Sequence, residues 1–359
     1  MSDIHESVRR YEDWLRRQLG DELVEQDLAR KRDKMAKNAF VFLRASYWRW
    51  AETILSVCPG LADAPAVLAI GDTHLENFGT WRDAEGRLVW GANDFDDAAV
   101  MPWPIDLVRL ASSALLAGGE SAGDICNALW EGYTTGLGKP QSLILEREHR
   151  WLRREIMLPE KERADWWRKL APGGKARKAG TKAPARFHAA LAAALPVAPL
   201  DFGDPLPIFA RTAGTGSLGK PRYAVQIAWQ GGPVVREAKA ILPSAWTVFG
   251  AGTDTGILAG TIAHAETRAV DPLYRVADGL VVRRLSPNSR KIEVKDAGAV
   301  LMSPDMLGLM GREIATCHAG DRDRIARVRY DAAGCDADWL RDHATAAARA
   351  VKRDFKALA

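Results

Sequence analysis

The sequence predicts an α+β fold of two lobes, the larger one mostly helical, and three observations carry that expectation. Its 359 residues exceed one typical core, which leaves room for a cleft between two lobes or for one large domain with insertions. Apolar residues recur at three- and four-residue spacing through residues 6–57 and again from Ile105 to about Leu170, the pattern of helices with one buried stripe. After residue 200 the texture changes. In RYAVQIAWQGGPVVREAKA, Tyr223, Val225, Ile227 and Trp229 alternate on one face before a Gly-Gly turn and a second strand.

The elements follow in order. NAFVFLRASYWRWAETIL is the most amphipathic part of the N-terminal helical stretch. PAVLAIGD reads as a short buried strand and RLVWGANDFD as a second, with WRDAEG as the hairpin between them. Helical periodicity returns in DLVRLASSALLAG and SLILEREHRWLRREIML. Residues 171–187 break every pattern with Gly, Pro and five basic side chains (Lys175, Arg177, Lys178, Lys182 and Arg186), and read as a solvated loop or as a flap gripping a polyanion. Beyond them TGILAGTIAHAETRAVDPL is expected to be a helix and GLVVRRLSP a strand, while SPDMLGLMGREIATCHA and DADWLRDHATAAARAVKRDF close the chain as helices. The expected division is 1–199 for the catalytic and metal-binding part of the large lobe, 200–292 for a small α+β nucleotide-binding lobe, and 293–359 for helices returning to the large lobe.

Composition bounds the function classes. With 47% hydrophobic and 27% charged residues the chain is no disordered polymer. A net charge of +4, not clustered, gives no ground for a nucleic-acid partner. Cys58, Cys126, Cys317 and Cys335 form no C-x-x-C pair, which suits reduced thiols. The charged N-terminus lacks an apolar signal core, and no stretch approaches the 18 apolar residues of a membrane span. A cytoplasmic protein without a membrane partner is expected, and nothing specifies its oligomeric state.

AGTGSLGKPRY supports competing readings. Gly214, Gly216 and Gly219 satisfy G-x-G-x-x-G, but a dinucleotide fold needs a helix next and a strand follows. Lys220 nearly completes a P-loop, yet Pro221 replaces the magnesium-binding hydroxyl. The remaining functional reading is a glycine loop between antiparallel strands, as in protein kinases, with Gly214, Thr215, Gly216, Ser217 and Gly219 over nucleotide phosphates; a plain hairpin turn is the bland alternative. The next strand would supply the phosphate cation, Arg236 or Lys239, which strand alternation puts on opposite faces; Lys239 fits the V-x-x-K cadence better, and Glu266 is the candidate helical partner.

The acidic residues are the sharpest signal. In phosphoryl transfer an aspartate activates the acceptor hydroxyl, an asparagine five residues later binds magnesium, and a second aspartate after a hairpin bridges metal and phosphates. Asp72, Asn77 and Asp94 reproduce that order. DTHLEN is similar to the D-x-H-x-x-N form of aminoglycoside phosphotransferases, and NDFDDA to their I-D-F-D-D-A. Carboxylates crowded at strand ends repel unless a hard cation such as Mg²⁺ joins them. His74 either stiffens the loop by hydrogen bonding to backbone or Asp94, or ligates metal. Asp96 is a second candidate ligand or an acceptor contact, Asp97 a solvated carboxylate, and Asp106 a buttress of the catalytic-loop backbone.

The chain resembles the bacterial family known as domain of unknown function 2252, through GDTHLENFG, NDFDD, WPIDLVRLA and GTGSLG, which span residues 71–219; the family's K-E-A stands here as REA, Arg236–Ala238. The resemblance implies a bilobal protein kinase-like fold. Here the catalytic segment precedes the glycine loop, so the fold would be circularly permuted, GLMGREIATCHA standing for the helix that ordinarily enters the catalytic loop. The expected function is an ATP- and Mg²⁺-dependent phosphotransferase acting on a hydroxyl of a small-molecule acceptor. Nucleotidyl transfer, a regulatory pseudokinase (Ile70 stands where His or Arg is usual) and a metal-dependent phosphohydrolase are the alternatives.

Overall fold

The computed structural model describes residues 3–171, 173–175, 183–196 and 206–358. Four helices open the chain, Ile4–Leu19, Glu25–Met35, Ala39–Ala45 and Tyr47–Val57. Capping chemistry divides what the sequence presents as one helical stretch. Gly20, at φ 49°, ends the first helix, and the Asn38 side chain accepts the Val41 N–H to start the third.

Ten strands follow among the described residues: β1 (Ala66–Ala69), β2 (Phe78–Arg82), β3 (Leu88–Ala92), β4 (Ala99–Pro102), β5 (Leu143–Ile144), β6 (Ile208–Ala210), β7 (Arg222–Trp229), β8 (Gly232–Ala240), β9 (Arg275–Ala277) and β10 (Leu280–Arg284). They form three small antiparallel sheets, ordered β1-β4, β2-β3-β5 and β6-β7-β8-β10-β9. The fold is thus mixed α and β. The β7–β8 turn has Gln230 and Gly231 at φ 44° and 82°, the left-handed pair that matches the twist of a two-residue hairpin.

Several expected elements differ. β3 pairs with β2, and β1 with β4, so WRDAEG joins β2 to β3 rather than β1 to β3. Gly79 and Gly91 sit opposite each other in β2 and β3 and weaken the strand signal. Their lack of a side chain admits neighbours: a Cβ at Gly79 would stand 2.8 Å from the Arg290 carbonyl oxygen, and one at Gly91 would overlap the Glu313 carboxylate. The helix expected across residues 142–158 is instead β5, then His149 in the left-handed region, then a short helix Arg150–Ile156; pairing of Leu143 and Ile144 with β3 overrides the helical period. The helix expected over residues 255–273 is limited to Ala259–Ala263, because Arg268 turns inward to donate to the Ala92 carbonyl and to Glu313.

One apolar core runs from Leu15 and Leu28 in the N-terminal helices through Val67, Trp103 and Tyr223 to Val281 and Leu340. Helix Pro104–Ala117 packs on helix Ala337–Leu358, and helix Ala122–Gly138 on helix Pro304–Ala319. The boundary expected at residue 200 lies outside the described residues, as do Arg177, Lys178 and Lys182 of the basic loop; helix Ala185–Ala193 already packs on β7, β8 and β10, and Arg186 pairs with Glu22. No helix among the described residues is long and apolar enough to cross a membrane.

Candidate functional site

Asp72 and Asp94 lie just past the ends of β1 and β3, and the turn at Gly71, φ 89°, brings the two segments side by side. Asp106, fully buried in helix Pro104–Ala117, accepts the Ile70 and Gly71 N–H groups at 2.8 Å each. His318 Nε2 stands 3.1 Å from the same carboxylate, and Tyr133 Oη 3.0 Å from His318 Nδ1. The buttress anticipated for Asp106 is therefore one end of a chain that reaches across to helix Pro304–Ala319.

One turn further along the same helix, Arg109 donates through Nε to Asp72 Oδ1 at 3.0 Å and through Nη2 to the Leu43 carbonyl at 2.9 Å. Burial raises the Asp72 carboxyl above its usual range, and Arg109 opposes that rise. Asn77 Nδ2 donates to the carbonyls of Asp72 at 3.0 Å and Asp94 at 3.1 Å. Those contacts fix the amide orientation and leave Asn77 Oδ1 buried without a hydrogen-bond partner. His74 Nδ1 accepts the Glu76 N–H at 3.1 Å, so the bond is to backbone and not to Asp94; burial, with Arg44 adding to it, holds the ring well below the usual histidine range and hence neutral.

The sheet contributes Lys239, whose ammonium lies 3.2 Å from Asp94 Oδ1 and 2.6 Å from Asp96 Oδ1. Burial alone would raise the Asp94 carboxyl, but Lys239, Lys291 and Arg283 outweigh it and hold Asp94 well below the usual carboxylate range. Asp97 is no free surface carboxylate: it accepts the Ala245 N–H at 2.8 Å, and burial pushes it up to about 6.

The glycine loop between β6 and β7 closes the other wall. Gly214, at φ 75°, and Gly219, at φ 96°, are the positions whose backbone favours glycine, while a Cβ at Gly216 would come 3.5 Å from Asp72 Oδ2 and 3.2 Å from the Arg44 carbonyl oxygen, a tight fit. Ser217 Oγ accepts from Arg222 Nη2 at 2.9 Å, and Thr215 Oγ1 lies 3.4 Å from Lys34 Nζ. Asp72, His74, Asn77, Asp94, Asp96 and Gly214–Ser217 all line one cavity of about 260 Å³, although more than a hundred residues separate the segments. A neighbouring cavity of about 510 Å³ shares Arg283, Lys291 and Glu293 with it and is walled by Trp81, Phe95, Trp166 and Tyr274.

Three sequence-selected residues take other places. Arg236, on the opposite face of β8 from Lys239, donates to the Ala194 carbonyl at 3.0 Å and lines neither cavity. Glu266 is 71% exposed and pairs with Arg322, because the expected helix ends before it. The buried glutamate of the sheet is instead Glu237, clamped by Arg211, Arg222 and Arg283. Gly219 faces Leu15, Leu23 and Leu28 of the N-terminal segment, where a Cβ would meet Leu28 Cδ2 at 2.7 Å, so its role is packing. Lys239 is brought to the aspartates but is buried beneath them and does not line the cavity.

Sequence reasoning missed Arg109, Lys31 and Lys291; the two lysines line the cavity, as does Lys220, which the sequence offered only as a P-loop lysine. Only Arg109 had a signal, its three-residue step from Asp106 on one helix face.

The donor set fits a magnesium ion. Among the described residues no three His, Cys, Asp or Glu side chains form a metal cage of their own. Mg²⁺ is ordinarily held by one or two carboxylates with substrate phosphates and water, and here Asp94 and the orphaned Asn77 Oδ1 offer such a partial shell, with Asp96 beside them.

A family model described as an uncharacterized protein conserved in bacteria, DUF2252, matches residues 23–142, about a third of the chain. The similarity covers Asp72, Asn77, Asp94, Asp106 and Arg109 and stops before the glycine loop. No curated protein and no solved structure matches the chain.

Proposed function

We propose that this chain is an ATP- and Mg²⁺-dependent phosphotransferase acting on a hydroxyl of a small molecule, built on a bilobal kinase-like fold in circularly permuted order. One observation carries the reading: the glycine loop and the Asp72, Asn77 and Asp94 groups line the same cavity. A triphosphate must touch both in phosphoryl transfer. The glycine loop joins the first two strands of the five-stranded sheet and Lys239 stands on the third, the strand order of that chemistry, although its ammonium pairs with Asp94 and Asp96. Permutation is supported by helix Pro304–Ala319, whose His318 bonds Asp106 and whose following Asp321 accepts the Leu68 N–H at 2.9 Å, next to the strand that enters the Asp72 loop.

In this reading Asp72 takes the acceptor proton at Oδ2, since Arg109 occupies Oδ1. A carboxyl raised by burial is a better base than a solvated one. Asn77 Oδ1 and Asp94, with Asp96 beside them, would hold Mg²⁺, which when bound would neutralise charge on the phosphate oxygens. Lys239 holds Asp94 and Asp96 in register from below rather than gripping phosphate. The backbone N–H groups of the loop cover the phosphates, and the larger cavity, with its aromatic walls, accepts the nucleoside.

Thermal unfolding with Mg²⁺ alone and with Mg²⁺ and ATP tests the nucleotide site. ATP is expected to raise Tm in the wild type and to lose most of that effect in Asp94→Ala, while a wild type indifferent to ATP would overturn the reading. Transfer of labelled γ-phosphate to pooled metabolites then identifies the acceptor. The burial of Lys239 between two aspartates favours one second reading, a nucleotide-binding protein without transfer; slow ATP turnover unchanged in Asp72→Ala, with binding intact, would select it.

A further inference from the structure

Lys31, on helix Glu25–Met35, is 4% exposed and lines the cavity, yet no carboxylate of the described residues lies within ion-pair distance of it. Its ammonium donates to the Gly216 carbonyl at 2.6 Å and to Tyr11 Oη at 3.2 Å. It lies over the Tyr11 ring at 4.7 Å and the Trp48 ring at 5.0 Å, two rings stacked on each other. Burying a cation without a counter-ion is unfavourable. The aromatic faces and two oxygens hold its position but neutralise little of its charge. An anion entering the cavity would supply a counter-charge.

Which part of a nucleotide that is follows from Gly216. The carbonyl that Lys31 grips belongs to Gly216, where a Cβ would stand 3.5 Å from Asp72 Oδ2. The phosphoryl group beside the base is the terminal one. The cation at the third strand, Lys239, is committed to Asp94 and Asp96. We infer that Lys31 binds the terminal phosphate of the triphosphate donor, a role supplied from the N-terminal helices rather than from the sheet. The inference rests on the phosphotransferase reading and names the group that discriminates ATP from ADP.

Calorimetric titration of the full chain with Mg²⁺ and ATP, ADP or inorganic tripolyphosphate tests it. Losing a charged hydrogen bond to the terminal phosphate is expected to weaken ATP and tripolyphosphate binding by about 10- to 100-fold in Lys31→Met. ADP affinity stays within about threefold, since ADP lacks that group. Lys31→Arg keeps the charge and recovers part of the ATP affinity. Equal losses for ATP and ADP, or no loss for either, overturn the role of Lys31 and leave the phosphotransferase reading standing. A wild-type chain that binds none of the three probes overturns both.

Discussion

Replacing Asp106 with asparagine changes almost no volume and removes one acceptor from a fully buried site. The carboxylate accepts the Ile70 and Gly71 N–H groups through different oxygens, each at 2.8 Å, and faces His318 Nε2 at 3.1 Å. An asparagine has one acceptor oxygen and one amide NH₂, so in either orientation the NH₂ confronts a backbone N–H. One N–H is orphaned, at about 1–3 kcal/mol, and the surviving bond loses its charge assistance, about 1 kcal/mol more. The expected loss is about 3 kcal/mol, which lowers Tm by about 4 °C for a chain of this length. Thermal and urea unfolding measure it directly. Because the two N–H groups begin the Asp72 loop, ATP affinity is expected to fall as well. A variant within about 1 °C of the wild type would refute the argument that Asp106 holds this loop.

Gly132→Ala is expected to lose about 3 kcal/mol or more, since its Cβ would overlap the Gly308 carbonyl and force apart the helices that bring Tyr133 and His318 to Asp106; an unchanged urea midpoint would contradict that close contact. For Lys31, burial, with Lys220 adding to it, pulls the ammonium down to about 7 against the opposing pull of Asp97, Asp72 and Glu12. Between that pH and the ordinary lysine value of about 10.4 the unfolded chain holds a proton the fold has released, so ligand-free wild-type stability should climb with pH across this window relative to Lys31→Met, and level off below pH of about 7. Parallel pH profiles of the two proteins would count against that burial.

What the sequence made legible was the chemistry that repeats or clusters locally. β7 was plain from the alternation of Tyr223, Val225, Ile227 and Trp229 and β8 from the glycines before it, although the turn falls on Gln230 and Gly231, and the two long C-terminal helices were plain from their period. Asp72, Asn77 and Asp94 stood out because so many polar groups in apolar surroundings require a common purpose. The short strands β6 and β9, three residues each, carry too little alternation to be seen and exist because longer neighbours offer them hydrogen bonds. Glu266 was chosen by its order along the chain, whereas the fold turned Arg268 inward and left Glu266 in solvent. Lys31 was invisible for a different reason. In DLARKRDKM it looks like one more charge on a solvated helix, and only the packing of Tyr11 and Trp48 around it shows that it is buried.

The charges on the five-stranded sheet also bear on where a nucleoside can lie. Lys239, Glu237 and Val235 share one face of β8, opposite Arg222 and Ala224 on β7 and beside Val281 and Arg283 on β10. Helix Glu160–Leu170 covers the far part of that face through Leu170 against Phe209, Ala224 and Val235. The near part is filled by Glu237, whose carboxyl three arginines hold below its usual range despite full burial. A purine placed under Glu237 would have to separate a buried carboxylate from its arginines, and breaking such a pair costs about 3–5 kcal/mol. The neighbouring cavity is already open and lined by Trp81, Phe95 and Tyr274, so a base placed there need not separate Glu237 from its arginines. Arg283 lines both cavities and is fixed by its bond to Glu237, so in the proposed nucleotide site it would stand where base and phosphates meet.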